Sequence, residues 1–554
     1  MTAETGHVFG IDLGTTYSCI AHVDEYGRPD IVRNLDSQPT TPSVVAFDGD
    51  DFVVGAQAKR QARVRTEEVC SLVKRHMGEE DWRFIVHGQE YAAPTVSSLV
   101  LKALIDNVER VTGETVTDAV ITVPAYFGDD ERKATKLAGE LAGLTSVDII
   151  NEPTAAAFSY GFGHEELADT AVLVYDLGGG TFDTTVIKLE ESAITVVATD
   201  GDHELGGADW DQELVRFLAQ KFQEQRPDAG DPLDDVHDEQ ELLATAEETK
   251  QALSMRESVE ALVVHNGQRA AVPVDRAAFE QITAALLERT IEFTKQVLGR
   301  ARERGVDRID ICLLVGGMSK MPVVSRRLSE EFGLTPRLLD PDLAVAKGAA
   351  LYGQKKELEE LVRKGLVEQG KLDADQQLGE ADPADVLREV QKAGSDRGMS
   401  GTAAISLVKT QITNVTSRGF GIFAEEDDKM LIAQFLAHRD DPLPIEVQRQ
   451  FYTTVDNQTE VLIEVFEQAT STESGKPEDN KVIVTDSITG IPAGFPQGTP
   501  VEVTFAMQPD QTIKVTAAHE AVSEPLVLQI TAGVGSKAMR DEEMAKVEAL
   551  RHRT

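Results

Sequence analysis

Two short strings in the chain hold residue types suited to gripping phosphate. Gly10-Ile11-Asp12-Leu13-Gly14-Thr15-Thr16 follows the first apolar run, and Asp176-Leu177-Gly178-Gly179-Gly180-Thr181-Phe182-Asp183 follows a later one. Each reads as a strand, an aspartate, a glycine turn and a threonine. Glycine lets the backbone turn through positive φ and lets its N–H groups approach an anion closely. Threonine adds a hydroxyl donor, and a strand-end aspartate can hold the water shell of a divalent cation. One such string alone is an ordinary strand-ending turn. Two of them facing each other across a cleft would clamp a triphosphate from both sides. A third glycine turn, Val315-Gly316-Gly317, follows another apolar run and would admit a flat purine.

Rival nucleotide motifs fail. There is no G-x-x-x-x-G-K-[ST], which excludes a P-loop, and no G-x-G-x-x-G opening a helix, which argues against a dinucleotide fold. His438-Arg439-Asp440 looks like a kinase triplet, but Ile445 stands where an asparagine should be and no D-F-G follows, so it reads as a chance match.

The elements that must position the phosphate strings are α/β in pattern. Strands are predicted over Val8–Ile11, Ala119–Val123, Ala171–Tyr175 and Ile311–Val315, and helices over Val96–Val111 and Phe279–Arg304. Past Gly353 the texture changes. Residues 354–400 read as two charged helices joined by a polar linker, the second with Asp382 as N-cap, Pro383 at its first position and Gly394 just past its end. A solvated spacer and a new docking site are both open for this segment. From about Ile412 the period becomes two, as in Val501-Glu502-Val503-Thr504-Phe505 and Ile513-Lys514-Val515-Thr516-Ala517, and turn clusters separate the runs. That is an antiparallel β-domain, read as a sandwich. Asp541 then opens a helix running to the end of the sequence, with Arg551 and Arg553 suiting its negative end.

Composition bounds the function classes. At 554 residues the chain is long enough for about three to five domains. With 54 Lys+Arg against 95 Asp+Glu the net charge is −41, which disfavours nucleic acid and anionic membranes as partners. No basic, apolar leader is visible over Met1 to His7, and no apolar stretch reaches a membrane span, so the expected address is the cytoplasm. Cys19, Cys70 and Cys312 lack disulfide or zinc spacing and read as buried residues; Cys70, with Lys74 one helical turn away, is the one with an alternative as a reactive thiol.

Longer strings carry a resemblance. Phe9-Gly-Ile-Asp-Leu-Gly-Thr-Thr-Tyr-Ser-Cys19, Val120-Ile-Thr-Val-Pro-Ala-Tyr-Phe127, Asn151-Glu-Pro-Thr-Ala-Ala-Ala157 and Tyr175-Asp-Leu-Gly-Gly-Gly-Thr-Phe-Asp183 resemble, in order and spacing, the seventy-kilodalton heat-shock chaperones of the DnaK type. The match extends through Gly206-Gly207 to Asp340-Pro341-Asp342 and Gly348, and covers residues 8–353. The resemblance implies an actin/hexokinase-like pair of lobes over residues 1–353, binding ATP with magnesium and potassium and hydrolysing it by in-line attack of water. The residue pattern divides the remainder into a helical spacer over 354–411, a β-sandwich over 412–535 that looks like the family's substrate-binding one, and a short helix over 536–554.

Roles carry over residue by residue. Gly14, Thr15, Thr16 and Tyr17 match the first phosphate loop, and Gly179, Gly180 and Thr181 the second, Thr181 standing with the catalytic group. Asp12 and Asp176 match the carboxylates around the metal ions. Lys74, which alone would read as a solvated lysine, matches the catalytic lysine that holds the attacking water. Glu152 and Asp183 match acidic residues near that water. Pro124 and Arg132 match positions that relay the nucleotide state to the second domain. Glu247, Lys250 and Ser254 match nucleoside contacts, together with Gly316, Gly317, Met318 and Asp342. Gln251 and Lys320 stand where the family often has arginines, so both walls of the adenine slot lose a stacking guanidinium. ATP remains the expected nucleotide, with looser affinity or base selectivity.

The resemblance thins toward the end. Thr454-Val455-Asp456-Asn457-Gln458 and Gly490-Ile491-Pro492 carry it into the sandwich, where Gln450 takes the place of the pocket aliphatic and Glu425 that of an arch residue. The apolar interdomain linker is missing, Ala404-Ile405-Ser406-Leu407-Val408 being the nearest substitute. The helical lid is reduced to the stretch from Asp541 to Thr554, from which fast release and weak allosteric locking are expected. The leading reading is an ATP-dependent chaperone acting in protein folding and the stress response on unfolded or partner polypeptides, with a J-domain co-chaperone and a nucleotide exchange factor as implied partners. The alternative is an ATP-switched regulatory module without general peptide capture. A small-molecule kinase on the same superfold fits less well.

Overall fold

The computed structural model describes residues 7–162, 169–374, 376–425, 430–470, 472–509, 511–530 and 537–553. Met1–Gly6, where the leader reading partly falls, and the 535/536 boundary lie outside the described residues.

The repeated phosphate string is a repeated substructure. In the first lobe, strand Phe9–Asp12 pairs in parallel with Asp118–Val123 and antiparallel with Tyr17–Val23. In the second, Thr170–Leu177 pairs in parallel with Ile311–Val315 and antiparallel with Phe182–Glu190. Each phosphate string is therefore a hairpin turn at the end of a central strand. These strands are apolar runs because both faces are covered, Ile311–Val315 being buried throughout.

Helices Glu152–Gly161 and Ala344–Glu368 pack against each other between the sheets. Small residues permit the approach: a Cβ on Gly348 would overlap the Ala155 carbonyl, and one on Gly10 would overlap the backbone of Ala350. The predicted helix over Phe279–Arg304 divides into Arg276–Ile282 and Ala284–Glu303, separated at Thr283. Its hydroxyl donates to the Phe279 carbonyl, a local bond that competes with the helical ladder.

Segment 354–400 is not a solvated spacer. Its first half continues helix Ala344–Glu368, whose Leu358, Val362 and Leu366 lie in the core shared with Ile187 and Leu189. Asp382 does cap helix Pro383–Asp396 through the Ala384 amide (2.8 Å). Gly394, however, lies inside that helix, where it faces the Ala404 side chain with no room for a Cβ of its own. Residues 404–408, read as a linker substitute, belong to helix Gly401–Lys409, with Ala404 and Leu407 buried. The connecting strand comes next: Gln411–Thr413 adds in parallel to the edge strand Ala193–Asp202.

The sandwich consists of two four-stranded antiparallel sheets. One runs Leu431–Ala437, Phe420–Glu425, Glu460–Gln468, Asn480–Thr489; the other runs Ile445–Tyr452, Pro500–Met507, Ile513–His519, Leu526–Ile530. Their inner faces bury Ile422, Ile463, Val465, Val501, Val503, Phe505 and Val515, as the alternation requires.

The last segment departs from expectation. Helix Lys537–Ala549 packs on helices Ala93–Thr112 and Asp129–Leu141, and Arg551–His552 then pairs with strand Asp51–Val54. Arg551 and Arg553 bind Asp51 (both 2.9 Å), and Arg553 also binds Asp48 (2.8 Å), so they do not serve the helix end.

Candidate functional site

The two hairpin turns interlock. A Cβ on Gly179 would overlap Thr16, and one on Gly180 would overlap Thr15. The second turn is braced from behind by helix Gly207–Gln225: the Gly207 amide donates to the Gly178 carbonyl (2.9 Å) and the Ala208 amide to the Gly179 carbonyl (2.7 Å). The first is held by Ser43, whose Oγ donates to the Gly14 carbonyl (2.7 Å). Thr15 Oγ1 and Thr184 Oγ1 are buried without hydrogen-bond partners.

Below the turns lies a charged floor. The short helical turn Val73–His76 carries Lys74, and the first residue of helix Glu152–Gly161 carries Glu152; their side chains form a buried pair with Nζ–Oε1 at 2.5 Å. Asp12, Asp176 and Asp183 stand around this pair. Thr122 donates to Asp12 (3.2 Å), and the Ala125 amide donates to one oxygen of Asp183 (3.1 Å), whose other oxygen has no partner.

Four carboxylates thus share one ammonium. Burial, then Glu152, against the opposing pull of Lys74, pushes Asp12 up to about 7. Burial and Glu152 likewise push Asp176 and Asp183 well above the carboxylate range. Burial would lower Lys74, but Glu152 and Asp12 outweigh it and hold the ammonium above its ordinary value. A floor this short of positive charge fits a divalent cation. Among the described residues no three His, Cys, Asp or Glu side chains converge as direct metal ligands. Cys70 is buried and its thiol is pushed up to about 12 by burial, the opposite of a reactive thiolate, while Lys74 is engaged with Glu152.

The other predicted residues divide. Tyr17 reaches the cleft mouth, where its hydroxyl donates to Glu247 (3.4 Å). Glu247, Gln251 and Ser254 follow one another along helix Val236–Met255; Gln251 donates to Glu247 (3.2 Å) and Ser254 to the Gln251 carbonyl (2.7 Å). Lys250 turns into its own lobe, to Asp211 (2.6 Å) and the Gly207 carbonyl (2.8 Å). Opposite, Gly316 turns at φ 81 and its amide donates to the Pro341 carbonyl (2.8 Å). The Cβ position of Gly317 lies 3.5 Å from Asp342, Lys320 pairs with Asp342, and Met318 is a core residue. Arg132 is buried, donating to the Phe127 carbonyl (2.9 Å) and to Asn151 (2.8 Å).

Four contributors escaped the sequence reading. Arg75 donates across the cleft to the Gly180 carbonyl (2.9 Å) and to Asp209 (2.6 Å). Lys59 closes the mouth on Glu247 (2.6 Å). Asp440, from the triplet read as chance, is 1% exposed and ties the sandwich to the second lobe, accepting from the Thr199 amide (3.1 Å) and from Arg300 (2.7 Å). Arg439 beside it binds Asp200 (2.6 Å). Such partners join residues far apart in sequence and leave no local spacing signal.

In the sandwich, Gln450 and Glu425 lie on different sheets. Gln450 lies in exposed register with Glu502 on one sheet, and Glu425 ends a strand opposite Leu431 on the other. The apolar surface is elsewhere. On the outer face of the second of these sheets Leu431 and Leu462 are exposed, beside a buried cluster in which Phe423 stacks on Phe466 (4.8 Å) and Phe435 meets Phe466 edge-on (5.0 Å).

Two interlocked hairpin turns over a charged floor, with a β-sandwich docked beside them, define a two-lobed cleft protein joined to a β-sandwich domain. The chain belongs to the Hsp70 protein family, whose profile matches residues 8–362 and 408–553. Curated relatives named "Chaperone protein DnaK" from two strains of Halobacterium salinarum are each 35% identical over 551 residues, covering 97% of this chain and 77% of theirs. Most of the packed helical insert, residues 363–407, falls between the matched stretches.

Proposed function

We propose that the protein is an ATP-dependent chaperone that hydrolyses ATP in the cleft and couples nucleotide state to polypeptide binding by the sandwich. The observation that carries this reading is the floor: Lys74 paired with Glu152 among Asp12, Asp176 and Asp183, directly below two phosphate-type turns. The amides of Gly14, Thr15, Thr16, Gly179, Gly180 and Thr181 bind the phosphates. Lys74 holds the attacking water and offsets charge on the γ-phosphate, while Glu152 and Asp183 orient the water and take its proton. Asp12 and Asp176 would hold Mg2+ through its waters, and the ion would supply charge neutralisation at the phosphates; potassium is the companion ion the family resemblance implies. Glu247, Gln251 and Ser254 on one side and Gly316, Gly317 and Asp342 on the other flank the nucleoside. Lys320 is drawn to Asp342, which supports looser adenine stacking.

The apolar outer face around Phe423, Leu431 and Leu462 supports capture of apolar polypeptide. The polar strand bearing Gln448, Arg449 and Gln450, all exposed, favours the second reading, a switched partner-binding module. A cytoplasmic address, a J-domain co-chaperone and an exchange factor accompany the first reading. No described helix is long and apolar enough to cross a membrane. ATP turnover with and without an unfolded apolar peptide, alongside Lys74→Ala, separates the two. Stimulation that requires Lys74 is expected; turnover indifferent to peptide would favour the regulatory module.

A further inference from the structure

Where the sandwich meets the first lobe, strand Glu460–Gln468 presses Glu467 against the first turn of helix Asp129–Leu141. Glu467 is 2% exposed, a Cβ on Gly128 would lie 2.6 Å from its Oε1, and that oxygen has no hydrogen-bond partner. The helix turns three acids toward this joint: Asp129, which is paired with Lys133, then Asp130 and Glu131. Arg132 of the same helix is committed to Phe127 and Asn151. From the sandwich come Lys481, bound to Asp130 (2.5 Å), and Arg418, which stands 3.5 Å from Glu467 and 3.6 Å from Glu131. One guanidinium is therefore shared by two carboxylates, and it reaches Glu467 from beyond ordinary hydrogen-bond distance. An ionised Glu467 opposes the closed joint, and a neutral one does not.

We infer that the sandwich docks on the first lobe with uptake of one proton by Glu467, so that acidification tightens the joint and alkalinity loosens it. Burial first, then Glu131, Asp129 and Asp130, against the pull of Arg418, raise the docked carboxyl to about 7 from an ordinary 4.5. A carboxyl whose value is higher when docked than when free favours docking fully below the free value, and that advantage is lost as pH rises toward the docked value. The device regulates the proposed coupling and rests on it.

Hydrogen exchange in the full chain with a non-hydrolysable ATP analogue, from pH 5 to 8.5, tests this. The Arg132 amide, bonded to the Gly128 carbonyl (3.2 Å) in the turn that Glu467 covers, reports docking on the first lobe, and the Thr199 amide, donated to Asp440, reports the neighbouring joint with the second lobe. Their protection, normalised for intrinsic exchange, is expected to fall by up to about tenfold per pH unit between about pH 5 and 7 and then level off. Glu467→Gln should hold the low-pH protection throughout. A Gln variant with the wild-type slope, or one exchanging everywhere at the wild-type alkaline rate, would overturn the inference. Arg418→Met gives a second check: it should move the levelling point to higher pH, and an unmoved or lower point would count against Glu467. Nucleotide binding by calorimetry on the same samples keeps the two readings apart. Absence of ATP binding with the slope intact would remove the ATPase reading alone, whereas intact binding with no slope would remove the proton step alone.

Discussion

The floor of the nucleotide cleft and the joint between the sandwich and the second lobe both bury charge, and they balance it in opposite ways. At the floor, Asp12, Glu152, Asp176 and Asp183 face one ammonium, Lys74. At the joint, Arg300 and Arg439 face Asp200 and Asp440, two charges against two, with the Thr199 amide filling a remaining acceptor. A buried cluster short of positive charge is completed by a cationic ligand. A cluster neutral within itself is completed by protein, and its strength lies in holding two parts together. The joint with the first lobe, at Glu467, stands between these cases, since one proton completes it.

Removing the cation from the floor should have the largest effect. Lys74→Ala is expected to lower kcat by at least about 100-fold while nucleotide still binds, as read by single-turnover hydrolysis and calorimetry. Crowding the turn above it comes next. A Cβ on Gly206 would fall 2.5 Å from the Gly180 backbone, so Gly206→Ala should destabilise the fold by about 1–3 kcal/mol and weaken nucleotide binding, measured by thermal unfolding with and without ATP. At the joint, Asp440→Asn keeps an acceptor for Thr199 but removes the negative charge that faces Arg300. It should weaken docking by about 1–3 kcal/mol, seen as faster exchange at Thr199, with nucleotide affinity little changed.

The floor should also respond to pH in its own direction. Because Asp12 is raised to about 7, the unliganded fold gains stability as pH drops below that value, while magnesium nucleotide must displace the proton. Affinity for the magnesium nucleotide is therefore expected to fall by up to about tenfold per pH unit below about 7 in calorimetry, opposite in sign to the docking change at Glu467. The smallest effect belongs to the half-exposed pair at the mouth. Lys59→Ala should speed nucleotide release by an amount worth at most about 1 kcal/mol, shrinking with added salt in stopped-flow measurements.

The two glycine turns were legible in the sequence as turns because glycine, aspartate and threonine at short spacing report a local backbone geometry. The interlock of Gly179 with Thr16 was not, although it explains why both turns need glycine. The antiparallel sandwich was legible from its period of two. Its outer apolar face was less so, since Glu460–Gln468 carries apolar residues on both faces and the alternation fades there. The helical insert was misread for a related reason. Its second helix has good caps, and caps say where a helix begins or ends but not whether its face is covered; Leu358, Val362 and Val390 are covered by the lobes. Asp440 carried no signal at all, since its partners Thr199 and Arg300 are distant in sequence.

The state of the cleft is expected to govern the grip of the sandwich on the lobes. Hydrogen exchange at Thr199 and at Gln411–Thr413, measured at one pH with ADP and then with a non-hydrolysable ATP analogue, tests it most directly. Protection should differ between the two nucleotides by about tenfold or more, within the usual range of coupling between sites. Equal protection in both, with both nucleotides shown to be bound, would contradict it.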